Sequence, residues 1–432
     1  MNLKTILYAL FCFCIINNLF AQVPAPAPSQ KMPILIQGAT IHIGNGQVIE
    51  KGDIRIENGK ITYVGASQAV STMDAEVIRA EGKHIYPGLI LLNTQLGLVE
   101  ISAVPATVDD SETGNINPHV RAIIAYNTDS EIIPPTRSNG ILFAQIVPQG
   151  SLVMGTSSVV QLDAWNWEDA AVKTDIGIHI AWVPIYQRPN FFLGETAFKK
   201  NDRRKETLQQ ADKLMKDAYA YSQIANPNPI NLRFEAMKGL FDGTRKLFIH
   251  TDNAKEIMEA VEFAQENNVK QVVIVGGRES YMITDFLKNN NVSVILNHTF
   301  NLPSRIDDDV DLPFKLPSLL QKAGVNYAIG YEDNHTQARN LPFAAGLAVA
   351  HGLSKEEALM SITLNAAKIA GVDDRIGSLE KGKDASLVIC VGDILDMRTS
   401  IITHAFIQGR KVNLDDKHKQ LFKKFKEKYD NK

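Results

Sequence analysis

Strand-forming segments stand at both ends of this 432-residue chain, with short apolar runs alternating with longer amphipathic ones between them, so the middle must return to where it began. From Pro33 to Val64 the isoleucines fall in a strand period: Ile34 and Ile36, Ile41 and Ile43, Ile54 and Ile56. Asn58-Gly59 offers the positive φ angles of a tight hairpin. Ala385 to Val391 and Ile401 to Ile407 repeat the pattern near the other end. Two half-sheets so far apart complete one unit only if the intervening chain closes on itself, and a barrel does that. Eight strand candidates lie between them: Ile85 to Leu92, Ile141 to Val147, Val159 to Leu162, Ile176 to Val183, Leu247 to Ile249, Val272 to Val275, Val292 to Leu296 and Val325 to Ile329. Eight is the barrel number. Asn253 to Gln265 sets Ile257, Met258, Val261 and Ala264 on one helical face, and the polar stretch 199–221 predicts a long solvated helix before the fifth strand. The fold class expected is α/β, a TIM-like (β/α)8 barrel with a small β-sandwich formed from both chain ends.

The first segment is an address. Lys4, the apolar stretch Ile6 to Phe20 and a small residue at Ala21 predict a secretory signal peptide over 1–21, hence a secreted or periplasmic protein with no transmembrane segment in the mature chain. A Pro/Ala-rich linker follows over 22–32, then the N-terminal half of the sandwich (33–86), the barrel (87–372), the C-terminal half of the sandwich (373–414) and a basic helix over 415–432. Leu421, Phe422, Phe425 and Tyr429 share one face of that helix, which is expected to pack on the body. A net charge of −3 offers no broad cationic surface for phosphates, so nucleic acid is not the expected partner; a small-molecule or peptide-like substrate is. Beyond the signal only Cys390 remains, which excludes an intramolecular disulfide.

Tyr86-Pro87-Gly88-Leu89-Ile90 after the first β unit and Ile376-Gly377-Ser378-Leu379-Glu380-Lys381-Gly382-Lys383-Asp384-Ala385 before the last resemble the amidohydrolase superfamily, in its imidazolonepropionase-like and dipeptidase-like branch. The resemblance spans 33–414 and is supported by Asn340-Leu341-Pro342-Phe343 and Ile362-Thr363-Leu364-Asn365-Ala366-Ala367. It implies hydrolysis of C–N bonds by a metal-activated water. The ligands it implies are a His-x-His pair after strand one, a Lys or Glu on strand four, single histidines after strands five and six, and an aspartate after strand eight. Here the pair reads Asn93-Thr94-Gln95, strand four holds His179 without Lys or Glu, and the strand-six position falls on Gly276 or Gly277. Amides are poor zinc ligands. His250 and an acid at Glu332 or Asp333 survive.

His250 closes the strand Leu247–Ile249 and precedes Thr251-Asp252, a helix N-cap candidate, which sets it at the C-terminal mouth where barrels do chemistry. His298 and His335 follow strands seven and eight. His250, His298 and Asp333 carry donors for one divalent ion, zinc or manganese; a site without metal is the other option. Asp333, Glu332 and His250 are the catalytic candidates, and Asn93, Gln95, Trp165 and Trp167 the substrate-binding ones. Gly150 to Ser158 reads as a βα connection or as a ligand-wrapping loop, and His42, His84, His351, His404 and His418 as structural residues. Two functions stay open: an exported amidohydrolase-like hydrolase with a degenerate or single-metal site acting on a non-peptide amide, cyclic amide or small peptide-like substrate, and a catalytically inactive binding or assembly protein on the same fold. Self-association and pairing with a related, ligand-complete chain also stay open.

Overall fold

The computed structural model describes residues 25–67, 72–187, 189, 197–297, 299–303, 307–331 and 336–430; the signal peptide expected over 1–21 lies outside them. The chain opens with β1 (Ile34–His42), β2 (Val48–Glu57), β3 (Lys60–Ala66), β4 (Glu76–Arg79) and β5 (His84–Pro87). It then enters a second sheet through β6 (Leu89–Thr94), β7 (Ile141–Ile146), β8 (Val153–Gln161) and β9 (Ala171–Ala181). A short hairpin, β10 (Tyr186–Gln187) with β11 (Lys199–Lys200), precedes β12 (Lys246–Thr251), β13 (Val272–Gly276), β14 (Ser293–Leu296) and β15 (Tyr327–Ile329). β16 (Leu387–Cys390), β17 (Ile402–Ile407) and β18 (Arg410–Lys411) return to the first sheet.

Both ends of the chain meet where β16 pairs antiparallel with β5, which pairs in turn with β1. The isoleucines read from the strand period, Ile34, Ile36, Ile41, Ile54 and Ile56, share one buried cluster with Leu387, Ile389 and Phe406 from the far end. That shared apolar interior is why the two halves cannot stay apart. The strand candidate Ile85–Leu92 is divided at Gly88: its first half belongs to this end sheet and its second opens the barrel.

The barrel strands run in the order β6-β7-β8-β9-β12-β13-β14-β15, a nearly closed eight-stranded cylinder. Seven are parallel. The third, β8, is antiparallel to both neighbours, with Phe143 opposite Gln161 and Ile146 opposite Ser158. The stretch from Gly150 to Ser158 is therefore a hairpin arm and most of a strand, not a βα connection, because Val153 to Val160 are buried on both faces and leave no loop there. The helix Ala254–Glu266 buries Ile257, Val261 and Ala264 of the face expected for it, with Ala260 fully buried where Met258 is only partly so. Its cap is Asn253, whose side chain accepts the Lys255 amide; Asp252 instead accepts the amide of Arg278. The helix Arg204–Ser222 buries Ala211, Met215, Ala218 and Tyr221, so it packs along one side and is less solvated than its composition suggests.

The C-terminal helix Lys417–Asp430 corrects its expectation: none of its residues is buried, and Leu421, Phe422, Phe425 and Tyr429 are exposed. It is tethered through Asp416, which accepts from Ser138 Oγ at 2.8 Å and caps His418 and Lys419 through their amides. A chain ending at Asp416 should thus melt within about 2 °C of the full chain by circular dichroism, whereas the loss of a packed helix would lower the transition by several degrees.

Asp163, just past β8, locks the end sheet to the barrel. It receives Arg137 at 3.0 Å and Arg410 of β18 at 2.8 Å, and the Ala27 amide at 2.9 Å. Arg137 is itself buried, so removing the carboxylate would strand a guanidinium away from water. Asp163→Ala is expected to cost about 3–5 kcal/mol, read as a lower urea midpoint, while a change below about 1 kcal/mol would rule out a buried clasp.

Candidate functional site

Five of the eight barrel strands contribute to one chain of polar groups through the barrel interior. The Asn93 amide at the end of β6 donates to Gln145 Oε1 on β7 at 3.2 Å. Gln145 Nε2 donates to Ser157 Oγ on β8 at 3.0 Å, and Ser157 Oγ lies 2.8 Å from His179 Nε2 on β9. His179 Nδ1 lies 2.9 Å from His250 Nε2 on β12. Gln145 and His179 sit two strands apart yet approach to 3.4 Å, which requires their side chains to converge on the concave side of the sheet. Asn93, Gln145, Ser157 and His179 are fully buried, and His250 keeps partial exposure at the top.

Local sequence explains how the chain holds. His250 lies two residues beyond Phe248 on the same face of β12, and the Phe248 ring stacks flat on His179 with centroids 4.5 Å apart. Gly177 makes that possible: a Cβ there would sit 2.5 Å from the Phe248 ring and 2.3 Å from the Lys246 carbonyl. Asn93 takes a left-handed conformation, φ 54°, at the register shift between Leu91 and Thr94, a conformation asparagine tolerates better than most residues. Burial strongly lowers the pKa of His179, with the neighbouring His250 adding to it, and burial lowers that of His250 to about 4. Both rings are neutral at pH 7.

Sequence reasoning misses Gln145 and Ser157, and marks His179 only as the residue standing where a Lys or Glu is expected. The available signal is a glutamine inside the otherwise apolar run Ile141–Ile146 and Thr156-Ser157-Ser158 inside Val153–Gln161, since polar side chains in fully buried strands must find partners.

Of the candidate site residues, Asn93 and Gln95 lie beside this chain at the end of β6. Among the described residues, neither side-chain amide atom of Asn93 nor Nε2 of Gln95, all buried, finds a hydrogen-bond partner. Trp165 and Trp167 stand elsewhere. Because β8 runs backwards, the segment after it lies at the end of the barrel opposite His250, where Trp165 is 67% exposed and Trp167 opens a short helix. The premise that placed them at the mouth, a parallel third strand, is replaced by a reversed one. His298, Glu332, Asp333 and His335 lie outside the described residues. His42 and His84 join each other at 3.0 Å, His42 also meets Glu356, and both rings stack with Tyr86 in the end sheet.

The match to known proteins follows this geometry. The model of the amidohydrolase family fits residues 166–413. The chain belongs to the amidohydrolase family. This amidohydrolase is 22% identical over 410 residues to a dihydroorotase of Pelotomaculum thermopropionicum, across 84% of this chain and 90% of that protein. Its fold matches an amidohydrolase structure from Thermotoga maritima with a TM-score of 0.78 at 26% identity, over 88% of this chain and 99% of the other. A zinc-bound adenosine deaminase from Xanthomonas campestris shares the fold at a TM-score of 0.51 and 16% identity, over 95% and 99% of the two chains. Membership places the protein among hydrolases acting on C–N bonds, a family whose members typically use divalent metals.

The described donors of this amidohydrolase do not fit such a metal. Positions 93 and 95 carry amides, and a side chain at Gly276 would place its Cβ 2.7 Å from Asp252 Oδ1. The two imidazoles that converge are hydrogen-bonded to each other, and no group of three His, Cys, Asp or Glu able to hold an ion is found among the described residues.

The neutral pair has a consequence for acid stability. A histidine whose folded pKa is depressed binds fewer protons than its unfolded form between the two values, so stability falls as the pH drops from about 6.5 toward 4. For His250 the loss is on the order of 3 kcal/mol. His84 and His404 shift the same way, so the test is a comparison: urea unfolding of wild type against His179→Gln/His250→Gln should show a steeper loss over that window in wild type, and equal slopes would contradict burial of a neutral pair.

Proposed function

We propose that the protein hydrolyses the C–N bond of a non-peptide amide, a cyclic amide or a small peptide-like substrate at the C-terminal rim of the barrel, with His250 and Asn93 meeting the substrate and Gln95 beside them. The observation that carries this is Asn93. A buried amide with neither atom paired costs on the order of 1–3 kcal/mol per group, a cost that folding alone gives no reason to retain. One donor and one acceptor side by side complement the C=O and N–H of a substrate amide, and complement a cyclic amide best, because its ring holds both groups on one edge. Glu332 or Asp333 is the proposed base for the attacking water, and His298 a further candidate. A neutral imidazole at His250 would polarise the carbonyl oxygen by hydrogen bonding, as neutral histidines do elsewhere. No step is assigned to a metal at His250, His298 and Asp333, since the His179 bond competes for the His250 ring.

The amides at 93 and 95 also support a second reading, a catalytically inactive binding protein on the same scaffold. The apolar stretch ending at Ala21 supports export, and no helix among the described residues is long and apolar enough to cross a membrane.

Purified protein assayed on dihydroorotate, lactams and dipeptides, with and without added zinc or manganese, separates the two readings. Under the hydrolase reading one class is turned over, and Asn93→Ala and His250→Ala each lower kcat/KM by about 100-fold or more. Wild type that binds members of the panel without turnover in any metal condition would leave the binding reading.

A further inference from the structure

We infer that the backbone amide of Asn93 sets the direction of the whole interior hydrogen-bond chain, so that His250 presents Nδ1–H to the barrel mouth and the site takes an oxygen acceptor, a carbonyl or carboxylate, in place of a metal ion. A peptide N–H can only donate. The Gln145 atom 3.2 Å from it is therefore Oε1, which turns the Nε2 amino group toward Ser157. Ser157 Oγ accepts that proton, and its own hydroxyl proton is assigned to His179 Nε2 at 2.8 Å, the direction that the approach of Gln145 to His179 requires. His179 Nε2 thus accepts, and a neutral ring that accepts at Nε2 carries its proton on Nδ1, which donates to His250 Nε2 at 2.9 Å. The last ring is fixed the same way: His250 Nε2 is occupied as an acceptor and its proton sits on Nδ1.

A second contact points in the same direction. Gln145 Nε2 also lies 3.4 Å from His179 Nε2, an approach that pairs a donor with a bare nitrogen and would set two N–H groups against each other in the opposite tautomer. That approach also argues against a Ser157 Oγ that accepts from both Gln145 and His179, an arrangement the two lone pairs of the hydroxyl would otherwise permit. A metal needs a free lone pair on its ligand. His250 has none: one nitrogen's lone pair takes the His179 proton, and the other nitrogen is protonated. His179, Ser157 and Gln145 are on this account positioning residues, acting on a ligand only through His250.

The assignment builds on the proposed site, while its readout needs no turnover, so the two fail separately. The full chain, labelled with 15N in histidine, is studied by NMR at pH 7, with the His250 signals identified by their loss in His250→Gln. Expected in wild type is a protonated Nδ1 and a bare Nε2 at His250, unchanged by one equivalent of zinc. In Ser157→Ala, His179 loses the donor that fixes it, and His250 shifts toward the Nε2–H tautomer; Ser157→Thr, which keeps the hydroxyl, retains the wild-type pattern. A wild-type Nε2–H tautomer, displacement of the His250 signals by zinc, or a folded Ser157→Ala with the wild-type pattern would each overturn the assignment. Should Ser157→Ala fail to fold, the wild-type tautomer and the zinc titration still decide it.

Discussion

A histidine ring sealed inside a barrel has two nitrogens that must both find partners, because an unpaired buried polar group forfeits most of the stability a single core contact gives. His179 meets that demand by bonding Ser157 on one side and His250 on the other, and much of the barrel's interior is arranged around it. Gly177 clears space for the ring that stacks on it, Gln145 satisfies the serine, and the reversed β8 brings that serine between β7 and β9. Within a low dielectric such a chain strengthens its own members, so orientation fixed at one end is felt at the other.

The scaffold is legible in the amino-acid sequence because apolar burial is periodic. The candidate runs beginning at Ile141, Ile176, Leu247, Val272, Val292 and Val325 all overlap barrel strands, and the isoleucines before Val64 do share a core with the closing strands. Strand direction is not legible. A run buried on both faces carries the same pattern whichever way it points, so β8 reads as a parallel strand, and its reversal carries Trp165 and Trp167 to the far end. The C-terminal helix shows a related limit: an apolar stripe marks a face that could be buried without saying that anything covers it. At the site, His250 and Asn93 can be placed by their position after strands, but the polar chain joining them runs through residues 145, 157 and 179, distant in sequence and joined only by folding.

Family membership and site chemistry thus separate in this protein. The amidohydrolase barrel is retained across most of the chain, while among the described residues the positions that hold metal in the resemblance carry amides or glycine, or a histidine already engaged. Those substitutions are mutually consistent. The backbone N–H of residue 93, the amide at 145 and the hydroxyl at 157 together satisfy a neutral histidine pair, whereas a metal centre would demand bare nitrogens and carboxylates at the barrel mouth. Fold is a scaffold on which the site is written separately.

The most direct test of this account is a crystal structure of the full chain grown in excess zinc, with anomalous scattering measured at the zinc edge. The account predicts no zinc peak within bonding distance, about 2 Å, of either nitrogen of His250, with the His179–His250 hydrogen bond intact. An ordered zinc bound to His250, with the ring turned away from His179, would contradict it.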